Sequence, residues 1–152
     1  MQEKRKGIID TAALKTLAAE LFDQAEAYRR SAAALQVADV QSVFSGLPIF
    51  NLYAHAVELY LKALLRIHGH PLEELEGKYR NDFRRIKKRA EVYGLRFAGS
   101  DKVAMEYFIR TPLAVRLKYS STRYYAAPTA DELNDLCHTL RDYIGAEITK
   151  TA

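Results

Sequence analysis

The sequence predicts an all-α protein, a single-domain bundle of about five helices. Three observations carry that reading. Apolar residues recur at spacings of three and four along most of the chain. No alternating run is long enough to be a strand. Gly69, Pro71 and Gly94 punctuate the periodic segments. The 152 residues suit one domain and are too few for two comfortable cores.

Residues 1–9 read as a flexible basic arm, and residues 10–148 as the helical domain. Asp10 or Thr11 can cap a first helix running to about Gln36. Leu14, Leu17, Leu21, Ala25, Tyr28, Ala32 and Leu35 form its inner face. Ala38 to Gly46 reads as a connector or a weak helix. Pro48 suits the first turn of a second helix, and Gly69 suits its stop. That helix is apolar around most of its circumference. Its one polar stripe is Asn51, His55, Glu58, Lys62 and Arg66, so neighbours should pack on its other sides. LEELEG reads as an acidic turn. A third helix runs from about Asn81 to Tyr93, with Phe83, Ile86, Ala90 and Tyr93 inward and Gly94 ending it. Ser100 should cap a fourth helix through Val103, Tyr107 and Phe108, and Pro112 should kink or restart it before Leu113–Tyr119. Thr129 and Glu132 form a capping box opening the last helix, with Leu133, Leu136, Leu140, Tyr143 and Ile144 inward.

Ten Tyr, six Phe and no Trp make the core rich in phenols, whose hydroxyls need hydrogen-bonding partners. The single Cys137 excludes an internal disulfide and fits a reducing compartment. No apolar run reaches the length of a membrane span, and MQEKRKGIID does not read as a secretory signal. A cytoplasmic location is expected. The net charge of +4 is unevenly distributed. Between Lys78 and Arg123 stand 13 Lys or Arg against 4 Asp or Glu, whereas carboxylates outnumber cations elsewhere. An anionic partner would therefore meet the second half of the chain.

The densest cationic run is KYRNDFRRIKKRA. Helical spacing puts Arg84 and Lys88 on one ridge and Arg85 and Arg89 on the next, opposite Phe83 and Ile86. Such a face can neutralise phosphates. It can equally be a solvated face that pairs with LEELEG. RLKYSSTRYYAAP gathers Arg116, Lys118, Tyr119, Arg123, Tyr124 and Tyr125, a mixture that can grip phosphates and stack on bases or simply build a corner. Glu58 and Lys62 stand in the order that favours a helix ion pair. The four His offer no standard metal-ligand spacing, there is no Gly-rich phosphate loop, and Cys137 lacks an evident base. No metal or cofactor is expected.

Three segments, FNLYAHAVELYLKALLRIHG, YRNDFRRIKKRAEVYGL and LKYSSTRYYAAP, resemble in that order the HEPN domain, the higher eukaryotes and prokaryotes nucleotide-binding family. The matching positions are Ala56, Glu58, Leu61, Lys62 and Ala63, then Asn81, Asp82 and Phe83, then Tyr119, Arg123 and Tyr124. Asn81 stands where the family usually has His. The resemblance implies a four- or five-helix up-and-down bundle, often a homodimer. It also implies nucleotide or RNA association, in bacterial defence, toxin–antitoxin or nucleotidyltransferase-partner settings. The nuclease members carry an Arg followed by four to six residues and a His, and no such pair occurs here. The expected function is therefore non-catalytic binding of a nucleotide, RNA or a partner protein. Lys62, Arg116 and Arg123 would contact phosphate, Tyr119 and Tyr124 would shape the pocket, and Arg84, Arg85, Lys88 and Arg89 would form a basic surface. Two alternatives remain open: an RNase using His55 or His70 with a nearby Arg or Lys, and a purely structural dimer docking on a nucleotidyltransferase.

Overall fold

The long Ala-rich segment forms α1 (Thr11–Val37) and the apolar segment α2 (Gly46–Ile67). Four further helices follow: α3 (Leu72–Glu76), α4 (Phe83–Val92), α5 (Ser100–Arg110) and α6 (Ala130–Lys150). The computed structural model describes residues 11–38, 46–111 and 128–150, and those residues contain no strand. The bundle class predicted from the periodicity is the one observed. The arm at 1–9, the connector at 39–45 and the Pro112 restart lie outside the described residues.

α1 meets α2 along Ala18, Ala25 and Ala32, all fully buried and spaced seven apart. Small side chains two turns apart make a continuous seam on which a neighbouring helix can sit closely. Tyr28, expected on that seam, falls on its flank. It is 37% exposed and stacks on the His55 ring at 5.2 Å.

α2 is the centre of the bundle. Tyr53, Ala56, Val57, Tyr60, Leu61 and Leu64 are fully buried, and α1, α4 and α6 all pack on it. It ends as the sequence predicts, at Gly69 with φ 97°. The Gly69 N–H donates to the Arg66 carbonyl at 2.9 Å and the His70 N–H to Leu65 at 3.2 Å, which is the Schellman pairing. The same pairing closes α4, where Gly94 donates to Glu91 and Leu95 to Ala90. Leu95 and Ala90 are both buried, supplying the apolar contact that accompanies this stop.

Besides Tyr28, three expectations are corrected. LEELEG is the short helix α3 rather than a turn, because Leu75 is drawn into the core and the Gly77 N–H closes on Glu73. α4 starts at Phe83, not Asn81. Asp82 is its cap, accepting from the Arg85 N–H at 3.1 Å, while Asn81 takes the left-handed conformation at φ 54°. Asn tolerates that region better than most residues. Ser100 is the first residue of α5 rather than its cap. Gly99 holds the cap position at φ 57°, and no side chain caps the helix. The capping box on α6 forms as expected, with Glu132 N–H to Thr129 Oγ1 at 3.1 Å and Thr129 N–H to Glu132 Oε1 at 3.2 Å.

Tyr53 and Tyr60 find partners, whereas the buried Tyr107 hydroxyl has none among the described residues. Tyr53 Oη donates to Gln36 Oε1 at 2.9 Å, and Gln36 Nε2 donates to Asp131 Oδ1 at 2.7 Å, which ties α2 to α1 and α6. Tyr60 Oη donates to Glu26 Oε1, and the Arg29 guanidinium grips both Glu26 oxygens at 3.3 and 3.0 Å. Burial pushes Tyr53 up to about 12 and the Cys137 thiol up to about 12. Cys137 is fully buried, as a small core residue. No helix among the described residues is long and apolar enough to cross a membrane.

Two outcomes test this account. Gly94→Ala should destabilise by about 1–3 kcal/mol, since φ is +93° and a Cβ there would stand 2.6 Å from Tyr143 Oη. Urea unfolding measures it, and an unchanged midpoint would refute the close approach. Burial opposes ionisation of Glu26, but the bonds from Arg29 and Tyr60 outweigh it and hold the carboxyl below its ordinary value of 4.5. A depressed carboxyl stabilises the fold above its unfolded pKa and loses that contribution as pH falls through the folded one. Thermal melts should therefore drop as pH falls below about 4.5, and Glu26→Gln should flatten that drop. A variant with the native acid profile would count against the Glu26 bonds.

Candidate functional site

α4 is amphipathic because its inward stripe is Phe83, Ile86 and Ala90, all buried, and nearly every other position is charged. Arg84, Arg85 and Lys88 are exposed and Arg89 is half-buried, so the structure places the predicted basic surface together on the outer side of α4. Two shallow depressions flank that surface. One, of about 490 Å³, lies between α4 and α5 and is lined by Arg84, Lys87, Lys88 and Arg110 with Glu91 and Glu106. The other, of about 400 Å³, is lined by Lys78, Tyr79, Arg85, Lys88, Arg89 and Val92, with no carboxylate.

The cations differ in how much of their charge is already answered. Lys87 Nζ lies 3.3 Å from Glu91 and 3.5 Å from Glu106. Arg110 lies 3.6 Å from Glu106, and Arg85 lies 3.3 Å from Asp82, both in exposed geometry worth little. Arg84 and Lys88 form no ion pair among the described residues. Lys78 Nζ sits 5.3 Å over the Tyr79 ring. The Tyr79 hydroxyl faces the Arg89 guanidinium and raises its pKa. None of Arg84, Arg85, Lys88 and Arg89 forms an ion pair with LEELEG, whose Glu74 turns instead to His70.

Lys62 sits elsewhere. Its Nζ lies 3.5 Å from Glu58, and only 13% of the side chain is exposed. Glu58 is buried, and its Oε1 accepts the Asn81 N–H at 2.7 Å. This bond joins the central-helix segment AVELYLKA to the NDF segment that opens α4. Spacing shows Glu58 and Lys62 as a helix pair, but only the tertiary fold shows Asn81. Arg116, Tyr119, Arg123 and Tyr124 lie outside the described residues.

A cluster not anticipated as a unit stands where α2, α3, α4 and α6 converge. His70 Nδ1 lies 2.8 Å from Glu74 Oε1, and Nε2 meets the Tyr93 hydroxyl. A carboxylate only accepts, so Nδ1 carries a proton and donates to Glu74. His68 stacks on the Tyr93 ring at 3.9 Å and 2°. Burial on that side, reinforced by the nearby His70 and opposed by Glu147, holds His68 below its ordinary value. Tyr143 Oη donates to the Tyr93 carbonyl at 2.7 Å. Burial raises Tyr93, partly offset by the Arg89 cation. Arg66 Nη1 donates to the His70 carbonyl at 2.8 Å, so its guanidinium serves the backbone rather than the imidazole. The four-residue spacing of His70 and Glu74 is a signal the sequence reading did not use, and Tyr93, 23 residues on, carries none. Among the described residues no three His, Cys, Asp or Glu converge as a metal site.

No family model, curated protein or solved structure matches this chain.

The Glu58 bond can be tested directly. Glu58→Ala would leave the Asn81 N–H unpaired and Lys62 uncompensated, costing about 3 kcal/mol. Glu58→Gln keeps an acceptor for Asn81 and should cost about 1 kcal/mol. Denaturant unfolding of both variants checks this, and equal losses would show that the Asn81 bond contributes nothing.

Proposed function

We propose that this protein is a non-catalytic HEPN-like helical domain that binds a phosphate-bearing ligand, a nucleotide or RNA. The observation supporting it is the outer side of α4, where Arg84 and Lys88 stand exposed without an ion pair and Arg85 and Arg89 stand beside them. Exposed guanidinium and ammonium groups grip phosphates through charge-assisted hydrogen bonds, and release of counterions drives the association. The HEPN resemblance adds Lys62, Arg116 and Arg123 as further phosphate contacts, with Tyr119 and Tyr124 beside them. It also implies a homodimer, a nucleotidyltransferase-type partner and a defence or toxin–antitoxin setting. The RNase alternative has less support, because both ring nitrogens of His70 are engaged and His55 stacks on Tyr28.

Fluorescence polarisation with a labelled single-stranded RNA tests the reading. Four phosphate contacts predict a slope of about −3 in log affinity against log salt, or about a fifty-fold loss between about 50 and about 200 mM. Arg84→Glu with Lys88→Glu should weaken binding and flatten the slope by about 1–2. Arg123→Ala should weaken it too if the resemblance places a second contact there. Binding that is absent at about 50 mM salt, or indifferent to salt, would end the proposal. Light scattering checks the dimer, and intact RNA after incubation with the protein checks the absence of cleavage.

A further inference from the structure

The two depressions beside α4 are not one broad basic patch, and their arrangement says which phosphates they suit. Successive helix residues turn by about 100°, so Arg84, Lys87 and Glu91 line one flank of α4 and Arg85, Arg89 and Val92 line the next. Lys88 belongs to both depressions and lies on the crest between them, opposite Phe83, Ile86 and Ala90. Beyond each flank stands a further cation on another element: Arg110 at the end of α5 on one side, Lys78 before α4 on the other. The face is thus a ridge with a trough along each side, both lined by cations, the one towards α5 also holding Glu91 and Glu106. The troughs are separated by the width of one helix with its side chains, about 10–12 Å.

A mononucleotide would use one trough and leave the other idle. Single strands are gripped by a cationic groove together with bases stacked on exposed aromatic rings. The ring that borders this face is Tyr79, which is only 2% exposed, and its face is covered by Lys78. Phe83 and Phe108 are stacked on each other inside the core. Among the described residues, then, the ridge offers cations on both sides and no stacking surface. Two antiparallel phosphate chains about a helix width apart border the groove of a double helix, and the major groove of B-form DNA is about 12 Å wide.

We propose that α4 docks on double-helical nucleic acid, with Arg84 and Arg110 meeting one phosphate strand, Lys78, Arg85 and Arg89 meeting the other, and Lys88 on the crest between them. The contacts go to phosphates, so binding is independent of sequence. This rests on the phosphate-binding reading above and names the form of ligand for that site.

The full chain is titrated against four labelled probes at one salt concentration: a mixed-sequence DNA duplex of about 20 base pairs, the RNA duplex of the same sequence, its single strand, and a labelled adenosine monophosphate. A duplex should bind about tenfold or more tightly than the single strand and far more tightly than the monophosphate. The DNA and RNA duplexes distinguish a B-form from an A-form groove. Two paired charge reversals, R84E with R110E and K78E with R89E, are made separately and checked for native circular dichroism. Each should weaken duplex binding about tenfold and, when the duplex titration is repeated across a salt series, lower the salt slope by about 2. Scrambling the duplex sequence should change nothing. A single strand binding as tightly as the duplex, or one reversal acting while the other does not, overturns the two-trough assignment while leaving phosphate binding intact. Failure of every probe overturns both.

Discussion

The burial of α2 on nearly all sides is the constraint from which the rest follows. A helix so enclosed cannot leave its polar atoms to water, so most must be answered by neighbours, and among the described residues Arg66 Nε is an exception. Tyr60 reaches Glu26, Tyr53 reaches Gln36, and Glu58 accepts the Asn81 N–H. Those three bonds, together with the alanine seam of α1, decide which faces of α1 and of the segment before α4 turn inward. The buried polar groups are therefore register marks. A slip of one residue along any neighbour would strand a phenol or a carboxylate without a partner, at a cost larger than the bond itself contributes.

The orientation of α4 shows how core packing and surface charge are coupled. Phe83, Ile86 and Ala90 must enter the core, and Glu58 holds the turn that leads into the helix. Once that stripe is fixed, the 3.6-residue repeat sends every cation outward and divides them between two flanks. The acidic helix α3 forms no ion pair with this face among the described residues, and its Glu74 pairs with His70. His70 in turn holds Tyr93, the residue that closes α4.

Much of this was legible before the tertiary arrangement. The bundle class, the Gly69 and Gly94 stops, the capping box at Thr129 and the buried Cys137 all follow from local rules, and they hold. The misreadings were of three kinds. Tyr28 fits the helical repeat but lies beside the seam, because Ala18, Ala25 and Ala32 make a closer contact than a ring allows. LEELEG is too short and too acidic to signal a helix, and Leu75 alone anchors it. Ser100 resembles a cap, but Gly99 takes the left-handed turn ahead of it.

For the site, the sequence by itself determined that Arg84, Arg85, Lys88 and Arg89 share the outer side of a helix, since spacing and the apolar stripe are local properties. It also determined that Glu58 and Lys62 pair. Only the tertiary structure decided that Arg110 and Lys78 complete a trough on each flank, that Asn81 bonds Glu58, and that His70 lies between Glu74 and Tyr93. The physical reason is that periodicity orients a side chain about its own helix axis, whereas contact between residues far apart depends on how whole helices pack.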